Sequence, residues 1–330
     1  MITVITFNPS IDRLYKLDTF EVGKVQRAGF VNPTAGGKGL NVSKVIKKLG
    51  ETPTCLGFLG GYNGEYIKNQ IEKIGVNNEF INIDGETRIC LNIIDSNGVS
   101  TEILEKGPIV SQKYIKYFED RLDEILRKTE VLVASGSLAQ GLPIDYYKTI
   151  GDKCRENGVK YILDTSGLAL EHAINTDIYL IKPNTDELGS ITNRKIDTLD
   201  DVVEAGKVLL GKNIENICVS MGKDGMVLLS KDSIYEVQIP EIDVLNPVGS
   251  GDSSVAGFAY GLSKKYDLIE CLRLANACGI SNALHNETGD IELSDIYKFT
   301  TQIKIKQYSL QTYITMNKKT NNKDKMINTY

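Results

Sequence analysis

Residues 244–262 read V-L-N-P-V-G-S-G-D-S-S-V-A-G-F-A-Y-G-L. An apolar run ends at Leu245, and a glycine-bracketed turn follows at Gly249-Ser250-Gly251. Asp252 then opens a stretch in which Val255, Phe258, Ala259 and Leu262 recur at helical spacing. Glycines let a backbone approach a ligand closely. The first N–H groups of a helix lack an internal partner and lie at the positive end of its dipole. A turn of this kind holds an anion. Asp252 is unexpected there, because a fixed negative charge competes with that anion. Both features make sense together if the carboxylate takes a proton from a hydroxyl while the amides stabilise the phosphoryl group that the hydroxyl attacks. The purely structural alternative for Asp252 is an N-cap after a Gly-rich loop.

Two more polar motifs stand beside apolar runs. Residues 2–7 read as a buried strand, broken by Asn8-Pro9-Ser10. Asp12 therefore lies just beyond a strand end, where open α/β sheets bind ligands; its alternative is a plain turn residue. Residues 34–39 form a Gly-rich loop that leads into an amphipathic helix over 42–49, with Gly50 as its stop. Gly36, Gly37 and Gly39 permit close backbone approach, while Lys38 and Asn41 supply donors beside the helix start. A solvated loop cation is the alternative for Lys38. No G-x-x-x-x-G-K-[ST] loop occurs, and Ser254 stands where a G-x-G-x-x-G fingerprint needs its third glycine.

Residues 54–59 read as the next strand and 64–74 as a helix. The runs 88–94 and 99–104, joined through Ser96-Asn97-Gly98, predict a hairpin. A hairpin cannot bury its own face, and the loosely alternating, polar segment 13–31 is its natural partner in a small outlying sheet. From residue 111 onward, helical patterns at 111–128, 145–157 and 202–211 alternate with strand patterns at 131–134, 161–164, 179–181 and 217–220. A second hairpin through Asp224-Gly225 and helices at 268–284 and 294–305 complete the series. This predicts an α/β fold, a doubly wound and mostly parallel sheet with right-handed crossovers. It is read as one domain over 1–315, followed by an Asn- and Lys-rich, mobile tail at 316–330.

The 330 residues suffice for one large α/β domain or two small ones. A net charge of -5 provides no global field for nucleic acid or an acidic membrane. The six cysteines are scattered without a C-x-x-C pair and read as buried free thiols. With only His172 and His285, a His-based metal site or a Ser/His triad has little to draw on. The sequence shows neither a signal-like N-terminal core nor a bilayer-length apolar stretch, so the expected location is cytoplasmic.

G-S-G-D at 249–252, A-G-G-K-G-L-N at 35–41 and N-P-S-I-D at 8–12 together resemble the ribokinase-like (PfkB-type) sugar kinases. The resemblance runs in order from the first strand to about residue 300, and is strongest to the hexose-phosphate branch, the tagatose-6-phosphate kinases and 1-phosphofructokinases. It implies a small β-sheet lid, with strands within about 13–31 and 86–106, that covers the sugar and often pairs with a second subunit's lid. It implies Asp252 as base, with Gly249, Ser250 and Gly251 as the anion hole. Asp12, Gly36, Gly37, Lys38, Asn41 and Ser137 would hold the sugar, with Arg27 and Arg88 on its existing phosphate. Lys182, Asn184, Ser220, Gly222, Gly225 and Asn276 would line the ATP site. Asn184-Thr185-Asp186-Glu187 matches the family's N-x-x-E motif, which places Glu187 on Mg²⁺ through water; an N-cap Asn with a Glu three residues on reads equally as a helix start.

Gly85-Glu86-Thr87-Arg88, T-E-I-L-E at 101–105 and L-N-P-V-G-S-G-D at 245–252 look like tagatose-6-phosphate kinases. The corresponding 1-phosphofructokinase segment reads N-T-V-G-A-G-D, from which this chain departs at Pro247 and Ser250. The expected reaction is ATP-dependent phosphorylation of a ketohexose monophosphate, D-tagatose 6-phosphate to D-tagatose 1,6-bisphosphate. The alternatives are a 1-phosphofructokinase and, from another class, a non-catalytic sugar-phosphate- or nucleotide-binding regulator. Asp252 argues against the regulator, since binding alone does better without a carboxylate in an anion site. The expected partners are the sugar phosphate, ATP with Mg²⁺, and a second copy through the lid, without nucleic acid or membrane. Pro33 and Gly36-Gly37 flank the lid's return and are the hinge candidates.

Overall fold

The computed structural model describes residues 1–311 and 313, so the tail at 316–330 lies outside the described residues. The chain begins with β1 (Ile2–Thr6), β2 (Ser10–Lys16), β3 (Phe30–Gly36), α1 (Lys38–Lys48), β4 (Thr54–Gly60) and α2 (Gly61–Lys73). Short strands β5 (Asn77–Asn78) and β6 (Ile81–Ile83) precede the hairpin β7 (Ile89–Ile94) and β8 (Ser100–Leu104). Alternation follows with α3 (Gln112–Leu126), β9 (Val131–Ser135), α4 (Tyr146–Glu156), β10 (Lys160–Asp164), α5 (Gly167–Ala173), β11 (Ile178–Ile181), α6 (Thr185–Thr192), α7 (Leu199–Leu210) and β12 (Ile214–Ser220). Last come β13 (Met226–Ser230), β14 (Ser233–Gln238), α8 (Ser250–Ser263), α9 (Leu268–Ala283), α10 (Leu293–Gln302) and β15 (Lys304–Ser309).

The main sheet runs β15-β14-β13-β12-β11-β10-β9-β1-β4-β5, with β6 against β4. Pairing is parallel from β12 through to β5 and antiparallel from β12 to β15. The parallel strands are continuous apolar runs because helices cover both faces. Val4, Val133 and Ile162 pack with α1, α8, α9 and α10, whereas their neighbours Ile5, Leu132 and Leu163 pack with α3, α4 and α7. Period-two alternation along β1 thus feeds two cores. All six cysteines are buried and free. No helix among the described residues is long and apolar enough to cross a membrane.

The second sheet, β3-β2-β7-β8, joins the predicted hairpin to the segment after β1. β2 is antiparallel to β3 and parallel to β7, and β7 is antiparallel to β8. Four local readings change. Asp12 lies on strand β2, since Ser10 already pairs with Gly36. The loop expected at 34–39 shrinks to Gly37, which adopts φ +103° between β3 and α1. Pro33 pairs with Arg13 on edge strand β3, where a missing N–H is tolerated, so of the hinge candidates only Gly37 lies outside a strand or helix. The last helix stops at Gln302, and the alternating Lys304-Ile305-Lys306 run adds β15 to the edge of β14.

Candidate active site

Parallel register brings the strand ends level, with Ile5, Ala134, Leu163, Ile181 and Ile217 linked across β1, β9, β10, β11 and β12. The polar residues that follow gather along the carboxyl edge of the sheet, the usual ligand face of such folds. Asp164 and Ser220 end β10 and β12, Lys182 follows β11, and Ser137 follows β9.

α8 meets this edge with its N-terminus. Its N-cap is Gly249 at φ +86°, a left-handed conformation; a Cβ there would overlap the Thr288 methyl. A Cβ on Gly251 would stand 3.0 Å from Lys182 Nζ, so this glycine lets a lysine reach the helix start. Asp252 is buried in the first turn and accepts a 2.9 Å hydrogen bond from Asn41 Nδ2. Asn41 Oδ1 is buried with no donor among the described residues, an arrangement that a ligand hydroxyl would satisfy. Burial and the nearby Asp164 charge push the Asp252 carboxyl up to about 6, against the opposing pull of Lys38, the Asn41 amide and Lys182.

Asp164 is 2% exposed and faces Lys38 Nζ at 3.5 Å, with Ser135 Oγ donating to it at 3.3 Å. Burial alone would raise its carboxyl, but Lys182 and Lys38 hold it below the usual carboxylate range. The Lys38 ammonium is held above its ordinary range, by Asp164 first, with smaller contributions from Asp252 and Glu187. The cluster therefore keeps Asp164 ionised while Asp252 titrates nearer neutrality. Two carboxylates whose environments push them apart are a recurrent sign of acid–base work.

On the lid side, Ser10 Oγ donates to Asp12 at 2.6 Å, and a Cβ on Gly36 would overlap the Asp12 carboxylate. Burial raises the Asp12 carboxyl, opposed by Ser10, Lys44, Arg88 and the Gly37 backbone. Lys44 Nζ donates to the Ala35 carbonyl at 2.6 Å, and burial lowers its own proton affinity. Arg88 donates from Nε to the Asn8 carbonyl and from Nη1 to the Glu105 carbonyl, each at 3.1 Å. Asn8 Nδ2 in turn donates to Ser137 Oγ at 3.3 Å. Arg27 is exposed on the connection between β2 and β3, beyond Lys16, which is itself about 14 Å along β2 from Asp12 at 3.4 Å per residue. It is not gathered into the cluster within one subunit.

Beyond the ends of β11 and β12, Asn184 Oδ1 accepts from the Glu187 N–H at 2.7 Å and the Asn184 N–H donates back to Glu187 Oε2 at 3.0 Å, a complete capping box. An isolated bridge ties Asn184 to Ser220. Gly222 and Gly225 are left-handed at φ +60° and +86°, and a Cβ on Gly225 would overlap the Val237 carbonyl. Asn276 is buried and donates to Leu272 of its own helix at 2.8 Å, so its amide is not brought to the cluster. No group of three or more potential metal-ligating side chains gathers among the described residues.

Sequence reasoning missed Asp164, Lys44 and Asn282. Asp164 left one trace, a carboxylate closing the apolar run Tyr161-Ile162-Leu163, where only a paired charge is tolerated. Lys44 and Asn282 left none, because each lies one or two helical turns beyond the residues that carry a motif.

Tagatose-6-phosphate kinase from Staphylococcus epidermidis is 42% identical over 308 residues, which span 92% of this chain and 99% of that protein. Phosphofructokinase-2 from Escherichia coli, in its complex with potassium, matches with a TM-score of 0.86 at 26% identity over 91% of this chain and 98% of that one. Its tetrameric inhibited form matches with a TM-score of 0.84 at 25% identity, with the same coverage. The model of the pfkB family carbohydrate kinases matches residues 5–293. With the buried carboxylate, the glycine turn and the lid in the order described, the chain belongs to the pfkB family of carbohydrate kinases.

Proposed function

We propose that this sugar kinase transfers the γ-phosphoryl group of ATP to D-tagatose 6-phosphate, giving D-tagatose 1,6-bisphosphate and ADP. The observation that carries the chemistry is Asp252, buried at a helix start, bonded to Asn41 and raised to about 6. The substrate class is supported by the 42% identity to a tagatose-6-phosphate kinase across nearly the whole of both chains.

In this reading the sugar's C1 hydroxyl lies against Asp252, which takes its proton as the oxygen attacks the γ-phosphorus. The bond to the bridging oxygen of ADP breaks in line, and the first-turn amides of α8 with Lys182 receive the charge that spreads over the phosphoryl oxygens. The Ser250 N–H turns back toward the Pro247 carbonyl at 3.3 Å, so Gly251 and Asp252 supply the amides best placed for this. Asp12 and Asn41 would fix the sugar's hydroxyls, and Arg88 would face the phosphate it already carries. Lys38 would hold the sugar beside Asp164, and Asn184, Ser220, Gly222 and Gly225 would border the triphosphate.

The donor set suits Mg²⁺ that arrives on the nucleotide. Glu187 offers one carboxylate, half engaged in its capping box, and Mg²⁺ keeps several waters and phosphate oxygens as ligands. Bound there, the ion would neutralise charge on the β- and γ-phosphates. Asn276, whose Nδ2 donates within α9, keeps its Oδ1 and second amide hydrogen as the groups that could meet the adenine.

The lid supports a second copy as partner. Val22 and Val25 are 93% and 92% exposed, and Phe30, Val31, Ile103 and Leu104 are also exposed on this sheet or its connection. Exposed apolar residues spread over both edge strands and the β2–β3 connection fit pairing of lids. Coupled ADP release with tagatose 6-phosphate, fructose 1-phosphate, fructose 6-phosphate and ribose side by side tests the substrate. The highest kcat/KM is expected with tagatose 6-phosphate, and a higher value with either fructose phosphate would reassign the acceptor.

A further inference from the structure

Asn282 lies on α9 outside every motif that marks the site, and its side chain is fully buried. All of its hydrogen-bonding capacity is used between elements. Nδ2 donates to the Val248 carbonyl at 2.9 Å and to Ser250 Oγ at 3.4 Å. Oδ1 accepts from the Gly289 N–H at 2.8 Å and from Ser253 Oγ at 3.1 Å. Val248 and Ser250 bracket Gly249, and Ser253 follows Asp252. Gly289 packs on α1 so closely that a Cβ there would stand 3.1 Å from Asn41 Cα. One amide therefore joins the glycine turn, the residue after the base, and the loop seated against the helix that carries Asn41.

The turn has a specific need for this. Its N-cap is glycine, so no capping side chain of its own fixes the first amides of α8. A left-handed glycine is also free to move. Asn246 Oδ1 holds the Val248 N–H at 3.0 Å as the turn begins, and the restraint on Ser250 and Ser253 comes from below, through a group with two donors and two acceptors, which among side chains only an Asn or Gln amide supplies in this form.

We propose that Asn282 is a positioning residue for phosphoryl transfer, holding the 248–252 turn so that its amides aim at the group in flight and locking that turn to the Asn41–Asp252 pair. This rests on the reading of the turn as the anion hole. Amides of this kind act on charge that develops in the transition state, so misaiming them lowers kcat and leaves ground-state binding in place.

Asn282→Asp separates the two halves of the network. It keeps an oxygen for Gly289 and Ser253, and it sets a carboxylate oxygen against the Val248 carbonyl in place of the donor. In the full chain kcat is expected to fall ~10–100-fold, less than the loss from deleting an anion-hole donor outright, with KM for ATP and for sugar phosphate within about threefold of wild type. Inhibition by ADP with aluminium fluoride and sugar phosphate, which mimics the transferring group, should weaken by the same factor as kcat. Asn282→Ala should move these quantities in the same direction and serves as the measured variant if the Asp variant does not fold. A folded variant with kcat within about threefold of wild type overturns the proposal, as do equal losses in kcat and both ground-state affinities. Asp252→Asn is measured alongside. If it is inactive while Asn282 variants keep full kcat, the positioning role alone fails; if it too keeps full kcat, Asp252 is not the base, the reading of this helix start as the phosphoryl-transfer centre fails, and the positioning role falls with it.

Discussion

Asp252 is held where its charge is disfavoured, and this has opposite consequences for rate and for stability. Replacing it with Asn should lower kcat by ~10²–10⁴-fold, the usual cost of losing a general base, while calorimetric titrations give near wild-type affinity for ATP and for sugar phosphate. Retention of near wild-type kcat would remove the residue from the chemistry. The base must be ionised to accept a proton, so kcat should rise with pH along a limb centred at about 6. A limb near 4 would mean that neither burial nor Asp164 governs it. Stability runs the other way. A carboxyl whose folded pKa lies above its unfolded one favours the folded state while protonated, and loses that advantage as pH rises through about 6. Asp252→Asn should therefore raise Tm at pH 8, with the gain vanishing below pH 4, a trade of stability for activity common at such sites. Of these residue-scale facts, the sequence displays Asp252 itself, because a carboxylate beside an anion-binding turn is odd on its face. The burial, the Asp164–Lys38 pair and the Asn41 bond arise from chain segments more than a hundred residues apart, and no local pattern records them.

Among the elements, the lid shows best what pattern reading captures. Ser96-Asn97-Gly98 between two β-rich runs identified the hairpin, and the hairpin's unburied face identified its partner segment. The boundaries were less legible. Glycines at 36 and 37 look alike in sequence, yet one pairs in β3 and the other makes the whole turn into α1, which depends on Ser10 being opposite. β15 was hidden because a strand at a sheet edge pairs with a hairpin seventy residues earlier. Arg88 gains a second duty in three dimensions. Its Nε and Nη1 tie the Asn8 and Glu105 carbonyls, so it anchors the root of the small sheet in addition to the phosphate contact proposed for it. Arg88→Ala should weaken sugar-phosphate binding by roughly 1.5–3 kcal/mol with ATP affinity little changed. Arg88→Lys should restore little, since one ammonium cannot serve two carbonyls and a phosphate in Arg's planar geometry. Equal loss for both ligands would point to collapse of the lid.

For the whole molecule, the proposed function predicts that the exposed small sheet and the site beneath it are coupled. Sugar phosphate is the ligand expected to touch both the lid and the main sheet, so hydrogen exchange in β2, β3, β7 and β8 should slow markedly with sugar phosphate and only slightly with ATP. If lids pair, part of that protection should exist without ligand and fall on dilution, and Val22→Asp with Val25→Asp should shift sedimentation toward the monomer. A lid equally mobile with and without saturating sugar phosphate would leave it a static contact. The strand order carries one more consequence, which concerns synthesis. β1 precedes every other described strand in the chain, yet it lies in the middle of the sheet, between β4 and β9, and β9 begins at residue 131. The helices α8 and α9 that cover it follow only after residue 249. At ~5–20 residues per second, the ribosome adds these helices on the order of ten to fifty seconds after β1. Through that interval the nascent chain carries Val4 and its neighbours without their lasting cover, and Asp12 and Lys38 without Asp252. Asp252, its glycine turn and Asn282 all come from the last third of the chain, so on the proposed reading a half-made protein would have its sugar loop and small sheet but no means of moving a phosphoryl group.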